Sequence, residues 1–173
     1  RWEDDPMDDA TRKTILRMIP YGIYVLTAKS PDGEISAATV NWVTQTSFAP
    51  PLVADAVKAD SGAYAALKAG GHFALNMLGK GQQGAAFAFF KPAEVADGRI
   101  SGEAYRDGST GTPILESAPG AVEFRVAEIV ERGDHHIVIG EAVDAHASGE
   151  IEGRPDDASL HMRELGDNVF YGG

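Results

Sequence analysis

Ser36, Thr39, Asn41, Trp42, Thr44, Gln45, Thr46 and Ser47 crowd hydroxyl and amide groups into one strand-like run that ends at Pro50-Pro51. An ordinary core strand places Val, Ile or Phe on its inward positions, because every buried polar group needs a partner. A strand this polar therefore reads as a surface turned toward a ligand. A second set follows. Lys58 offers a point charge, Ser61 a hydroxyl, and the helix that Ser61 caps offers unpaired N–H groups, which together make an anion site. Each such dipole contact contributes only ~0.3–1 kcal/mol, so several must act together. They do so against a formal net charge of -11. The segments Asn76 to Gln83 and the turn at His135 complete the polar set.

Other chemistries find less support. Gly79-Lys80-Gly81-Gln82-Gln83-Gly84 satisfies a dinucleotide fingerprint literally, between a strand and a helix. That fingerprint requires a βαβ unit with a second buried strand. Here Pro92 stops the helix early, and Val95 to Glu103 is too polar for a parallel core strand. We read the glycines as a flexible turn. His135 and His136 are adjacent on a strand and point to opposite faces, so they do not converge on one ion. His146 and His161 stand isolated along the chain, and no metal site is expected. No serine carries the flanking glycines of a nucleophile elbow. The absence of cysteine removes thiolate metal sites, disulfides and a cysteine nucleophile.

These groups must be held by elements that the sequence also marks. At 173 residues the chain fits one domain that buries roughly two-thirds of its unfolded surface. We expect an acidic tail over 1–9, with Glu3, Asp4, Asp5, Asp8 and Asp9, and one domain over 10–173. A short amphipathic helix presents Ile15, Leu16, Met18 and Ile19 and closes at Pro20. Tyr21 to Ala28 and Glu34 to Gln45 form a hairpin around Ser30-Pro31-Asp32-Gly33. Leu52 to Val57 is a third strand, Ala63 to Ala69 a helix capped by Ser61 and ended by Gly70-Gly71, and His72 to Leu78 a fourth strand. Gln82 to Phe90 reads as a helix, 93–116 as a long surface excursion, and Ala121 to Glu131 and His136 to His146 as paired strands. A last strand is expected within Asn168 to Tyr171. The fold class is mainly β: six or seven short antiparallel strands closing a small barrel with short flanking helices. No apolar run approaches ~20 residues and no basic-then-apolar leader opens the chain, so a cytoplasmic location is expected. The acidic balance argues against nucleic acid and nothing calls for a membrane.

The run Thr39 to Ser47 with Pro50-Pro51-Leu52-Val53, then Lys58-Ala59-Asp60-Ser61, then Phe73 to Leu78, and finally Gly133-Asp134-His135 with Ile139-Gly140-Glu141-Ala142, resembles the flavin reductase-like family. The likeness runs from about Ile19 to Gly173 with all blocks in order. It implies an FMN-binding split β-barrel and a homodimer. Carried over residue by residue, it implies that Thr39, Asn41, Trp42, Val43 and Thr44 line the flavin ring, and that Lys58, Ser61 and Gly62 approach its phosphate. Asn76, Gln83 and Phe87 would flank the flavin, and His135 would lie near the face where the nicotinamide stacks. The implied reaction is hydride transfer from NADH or NADPH to FMN, or alternatively FAD, with a monooxygenase as one partner for the reduced flavin. The protein supplies position and electrostatics while the flavin carries the chemistry, which explains why no acid, base or nucleophile stands out. Two rivals keep the barrel: a flavoredoxin-like electron carrier without nicotinamide turnover, and a haem-binding relative. Two positions depart from the family pattern. Asp55 stands where strand Leu52 to Val57 calls for an apolar residue, and Leu160 to Gly166 replaces the commoner strand-plus-basic ending.

Overall fold

A computed structural model describes residues 6–173. Asp9–Leu16 (α1) opens the described chain, with the Asp8 carboxylate accepting the Ala10 N–H as N-cap. Tyr24–Lys29 (β1) and Ile35–Val40 (β2) form the expected hairpin, and Gly33, at φ 90°, makes its turn. Val43–Ser47 (β3) and Leu52–Lys58 (β4) are joined through the double proline. Gly62–Gly70 (α2) begins on Ser61, whose Oγ accepts the Tyr64 N–H at 3.1 Å, and leads into His72–Met77 (β5). Gln83–Ala88 (α3) is shorter than the 82–90 expected.

Four short strands follow: Val95–Ala96 (β6), Arg99–Ile100 (β7), Glu103–Asp107 (β8) and Pro113–Leu115 (β9). Two long ones, Gly120–Val130 (β10) and His135–Ala147 (β11), close the strand set. They cover the paired runs expected over Ala121 to Glu131 and His136 to His146, within one residue at each end.

Seven strands make one antiparallel sheet in the order β2-β1-β5-β10-β11-β4-β3. The edge strands β2 and β3 are separated in sequence by Asn41 and Trp42 alone, so the sheet must curl until its edges approach. The result is a split barrel whose gap is spanned by two residues of the polar run. Inside it Phe73 and Phe124 stack with centroids 4.9 Å apart, beside Leu26, Leu75, Val57 and Val138. Gly140 is required there, because a Cβ would stand 2.7 Å from Phe73 and 2.8 Å from Phe124. Register shifts after Glu123 and Val126 bend β10 around this core.

Several expectations change. Glu34 to Gln45 is two strands, because the chain leaves one sheet edge for the other at Asn41-Trp42. Segment 93–116 forms a second sheet, β6-β7-β8-β9, that buries Ile100, Ile114 and Leu115. Its polar, glycine-rich sequence hides this, since β6 and β8 bury no residue fully, β7 buries only Ile100, and the remaining buried residues fall in the three-residue β9. Asn168 to Tyr171 is irregular rather than a strand. The helix at Asp9 exists, but none of its residues is buried, and Ile15, Leu16, Met18 and Ile19 stay exposed. Of the acidic tail, Glu3, Asp4 and Asp5 lie outside the described residues, while Asp8 and Asp9 start α1. No helix among the described residues is long and apolar enough to cross a membrane.

Candidate functional site

The bend between β2 and β3, the end of β4, the start of α2 and the start of β11 meet at one end of the barrel. Cross-strand pairing places His135 opposite Lys58, and Ala59 donates its N–H to Asp134 O at 3.0 Å. Trp42 O accepts the Ala56 N–H at 2.9 Å, which pins the bend onto β4. The indole of Trp42 consequently lies 4.7 Å from the His135 ring, centroid to centroid. Blocks separated by some ninety residues thus become one surface.

Beside this surface runs a groove of 530 Å3 whose walls include Ser36, Lys58, Ser61, Gly62, Phe90 and Lys91. Ser61 Oγ donates to Lys58 O at 2.7 Å and accepts from Tyr64 N, leaving the first amides of α2 without intrahelical partners. Lys58 is exposed and pairs with Asp60 at 3.4 Å. Glu34 and Asp60 line the same groove, so Lys58, Lys91 and the helix start give an anion a charge-balanced lining within a chain of strongly negative net charge. A buried atom points the same way: Trp42 Nε1 has no hydrogen-bond partner among the described residues. A planar ligand with acceptors on its edge and a phosphate on its tail matches this donor set.

The other expected site residues are placed as follows. Asn41 is buried, and its Nδ2 donates to Tyr171 O at 3.0 Å. Thr44 is exposed on β3, whereas Val43 packs inward on the barrel core. Thr39 Oγ1 donates to Ala86 O at 2.7 Å and so ties β2 to α3. Gln83 is half-buried at the start of α3, and Phe87 lies exposed near Phe90 with ring centroids 5.8 Å apart. Asn76 departs from expectation. It is fully buried, its Nδ2 donating to Val25 O and Thr27 Oγ1 and its Oδ1 accepting the Leu115 N–H. With its amide fully engaged in tying β5 to β1 and β9, Asn76 has nothing left to offer a flavin. The face of β5 that it occupies is set by the curl of the sheet.

His136 turns away from the site, with Nδ1 at 2.8 Å from Tyr64 Oη, as the alternation of a strand requires. His146 is not isolated: its Nε2 lies 2.6 Å from Glu123, and Asp144 stands nearby. Glu123, Asp144 and His146 form a compact group on β10 and β11, and the Glu123 carboxylate is saturated by Ser109, Thr110 and His146. Asp55 points into the barrel, fully buried, with both carboxylate oxygens unpartnered among the described residues. Burial pushes its carboxyl well above the ordinary range.

Sequence reasoning missed Tyr171 and Lys91. A lysine directly after an alanine- and phenylalanine-rich helix in an acidic chain was a signal for Lys91. Tyr171 sits in a segment without periodicity and carried none.

The family described as a flavin reductase like domain matches residues 16–164 of the chain. A flavin reductase of Pseudomonas putida is 31% identical over 151 residues, covering 87% of this chain and 84% of that protein. A flavin reductase (NADH) of Kitasatospora aureofaciens is 34% identical over 139 residues, covering 79% and 71%. Among solved structures, the NADH:FAD oxidoreductase SgcE6 of Streptomyces globisporus, in complex with NAD and FAD fragments, superposes with a TM-score of 0.67. It is 29% identical over 83% of this chain and 86% of that one.

Proposed function

The chain belongs to the flavin reductase-like family, and from that premise we propose that it is an NAD(P)H-dependent flavin oxidoreductase whose site is the end of the barrel around Trp42, Lys58 and His135. The observation that carries this reading is the convergence of Asn41-Trp42, Lys58 to Gly62 and Asp134-His135 on one surface beside the groove that Lys58 and Lys91 help to line. Lys58, Lys91 and the first amides of α2 would hold the phosphate, and the Trp42 bend would hold the ring. Bound flavin supplies the two-electron acceptor: a hydride leaves the dihydronicotinamide, which becomes cationic, and a solvent proton balances the reduction.

Such a transfer requires the donor carbon within ~3–3.5 Å of its acceptor, so catalysis is chiefly a matter of stacking two rings and excluding water. His135 would form the wall on the nicotinamide side. Its half-buried ring, packed on Trp42, is held more firmly than a loop histidine in water. A homodimer belongs to this proposal. Its support is the uncovered apolar flank of α1, and Phe48, which is 91% exposed. A monooxygenase taking up the reduced flavin and a cytoplasmic location complete the reading.

The direct test is a steady-state assay with NADH and with NADPH, adding FMN or FAD. The expected result is nicotinamide oxidation that depends on flavin. Bound flavin without turnover would turn the reading toward an electron carrier, and absence of both flavin binding and turnover would reject it.

A further inference from the structure

The C-terminal segment lies across Asn41, Trp42 and His135. Tyr171 O accepts from Asn41 Nδ2, the Tyr171 ring lies 5.3 Å from Trp42 and 5.6 Å from His135, and Tyr171 Oη is hydrogen-bonded to His135 Nε2. Arg17 anchors the same segment, donating from Nε to Gly172 O at 3.1 Å and stacking its guanidinium over Phe170. At the other end of the imidazole, His135 Nδ1 lies 2.8 Å from Asp134 Oδ1.

We propose that Tyr171 is a positioning residue for hydride transfer: its hydroxyl and the Asp134 carboxylate grip the His135 ring from opposite ends and fix its orientation and tautomer beside Trp42. The inference rests on the nicotinamide-side reading of His135 given above.

The chemistry of the three groups fixes the proton. An ionised carboxylate can only accept, so Nδ1 carries the hydrogen; the other nitrogen of a neutral imidazole then accepts, and Tyr171 donates. The hydrogen bond from His135 holds the Asp134 carboxyl below its ordinary range, and burial raises the Tyr171 phenol, so each keeps the protonation state this chain of bonds needs. A neutral imidazole suits the reaction. The nicotinamide gains positive charge as the hydride departs, and a cationic neighbour would oppose that change. With both nitrogens engaged, the ring cannot rotate out of register with the stacked nicotinamide.

Two measurements on the full chain test this. In protein carrying 15N-histidine and no added flavin, long-range proton–nitrogen spectra are expected to show His135 in its Nδ1–H tautomer. Tyr171→Phe keeps the aromatic packing but loses the donor; the Asp134 side chain is 94% exposed and in competition with water holds Nδ1–H only weakly on its own, so a mixture of tautomers is expected. With FMN and NADH, Tyr171→Phe is expected to lower kcat/KM for NADH by about tenfold, a part of the ~100-fold that an ångström of misplacement can cost. FMN affinity is expected to change less than twofold. Tyr171→Ala should fall at least as far.

If the Phe variant keeps either the wild-type tautomer or the wild-type kcat/KM, Tyr171 is packing alone and the proposal fails. A wild-type chain that oxidises no nicotinamide would instead overturn the functional reading, and the tautomer spectra would still report on the clamp.

Discussion

Replacing Glu123 with Ala is expected to destabilise the protein by ~3–5 kcal/mol, the range for removing one partner from a buried charged network. The Glu123 side chain is fully buried. It accepts the Ser109 and Thr110 N–H groups at 3.0 and 2.8 Å, the Thr110 hydroxyl at 2.6 Å and His146 Nε2 at 2.6 Å. Gly108 completes the arrangement, since a Cβ there would stand 2.5 Å from the carboxylate. One side chain of β10 therefore closes the 108–112 turn of the second sheet onto the barrel. Alanine leaves those backbone donors buried and unmatched. The corresponding fall in Tm is on the order of 10 °C for a chain of this size, read by thermal unfolding at neutral pH.

The pH dependence has a definite sign. Burial alone would raise the Glu123 carboxyl, but the bonds from Thr110, His146 and the two amides prevail and hold it at about 2, below the ordinary 4.5. Its contribution is complete above the ordinary value and is lost as pH falls through about 2. The gap between wild type and Glu123→Gln should therefore narrow on acidification.

Asp55→Val is expected to act in the opposite sense, stabilising the protein by ~1–3 kcal/mol at neutral pH, the cost of a buried polar group left without a partner. Asp55 faces the barrel interior opposite Val138 and Val43, and no cation approaches it among the described residues. Burial raises its carboxyl, and its charge in turn adds to the burial that raises the Tyr24 phenol. For a raised carboxyl the stabilisation is complete below the unfolded value of ~3.9 and declines as pH rises through the folded one. Chemical denaturation from pH 4 to 8 should show wild type losing stability relative to the variant as pH rises. Equal stability across that range would mean that Asp55 finds a partner in solution.

Much of this site was legible because its signals are local. Ser61 and Gly71 carry their capping geometry in their own residue types, Pro50-Pro51 marks the turn between β3 and β4, and strand alternation already separates His135 from His136. What stayed hidden depends on distance along the chain or on curvature. Asn76 lies in a strand whose two faces look alike in sequence, and the curl of the sheet decides which of them faces the interior. Glu123 meets a turn some thirteen residues away through a second sheet whose strands, of two to five residues, carry almost no periodicity. Tyr171 follows a glycine- and asparagine-containing stretch with no pattern, yet it touches Asn41, Trp42 and His135. Asp55 did announce itself as the wrong residue for its strand, and the structure shows why: it is a carboxyl in an apolar interior.

The central claim is that the Trp42 surface holds the flavin ring while the Lys58–Lys91 groove holds its phosphate. Titrating FMN and riboflavin, which differ by that phosphate, into wild type and a Lys58→Ala/Lys91→Ala variant tests it most directly, with Trp fluorescence as the signal. Charge-assisted hydrogen bonds contribute ~1.5–3 kcal/mol each, so wild type should prefer FMN by at least tenfold. The double variant should bind both flavins with the weak affinity of wild type for riboflavin. An FMN preference that survives loss of both lysines would place the phosphate elsewhere and contradict the account.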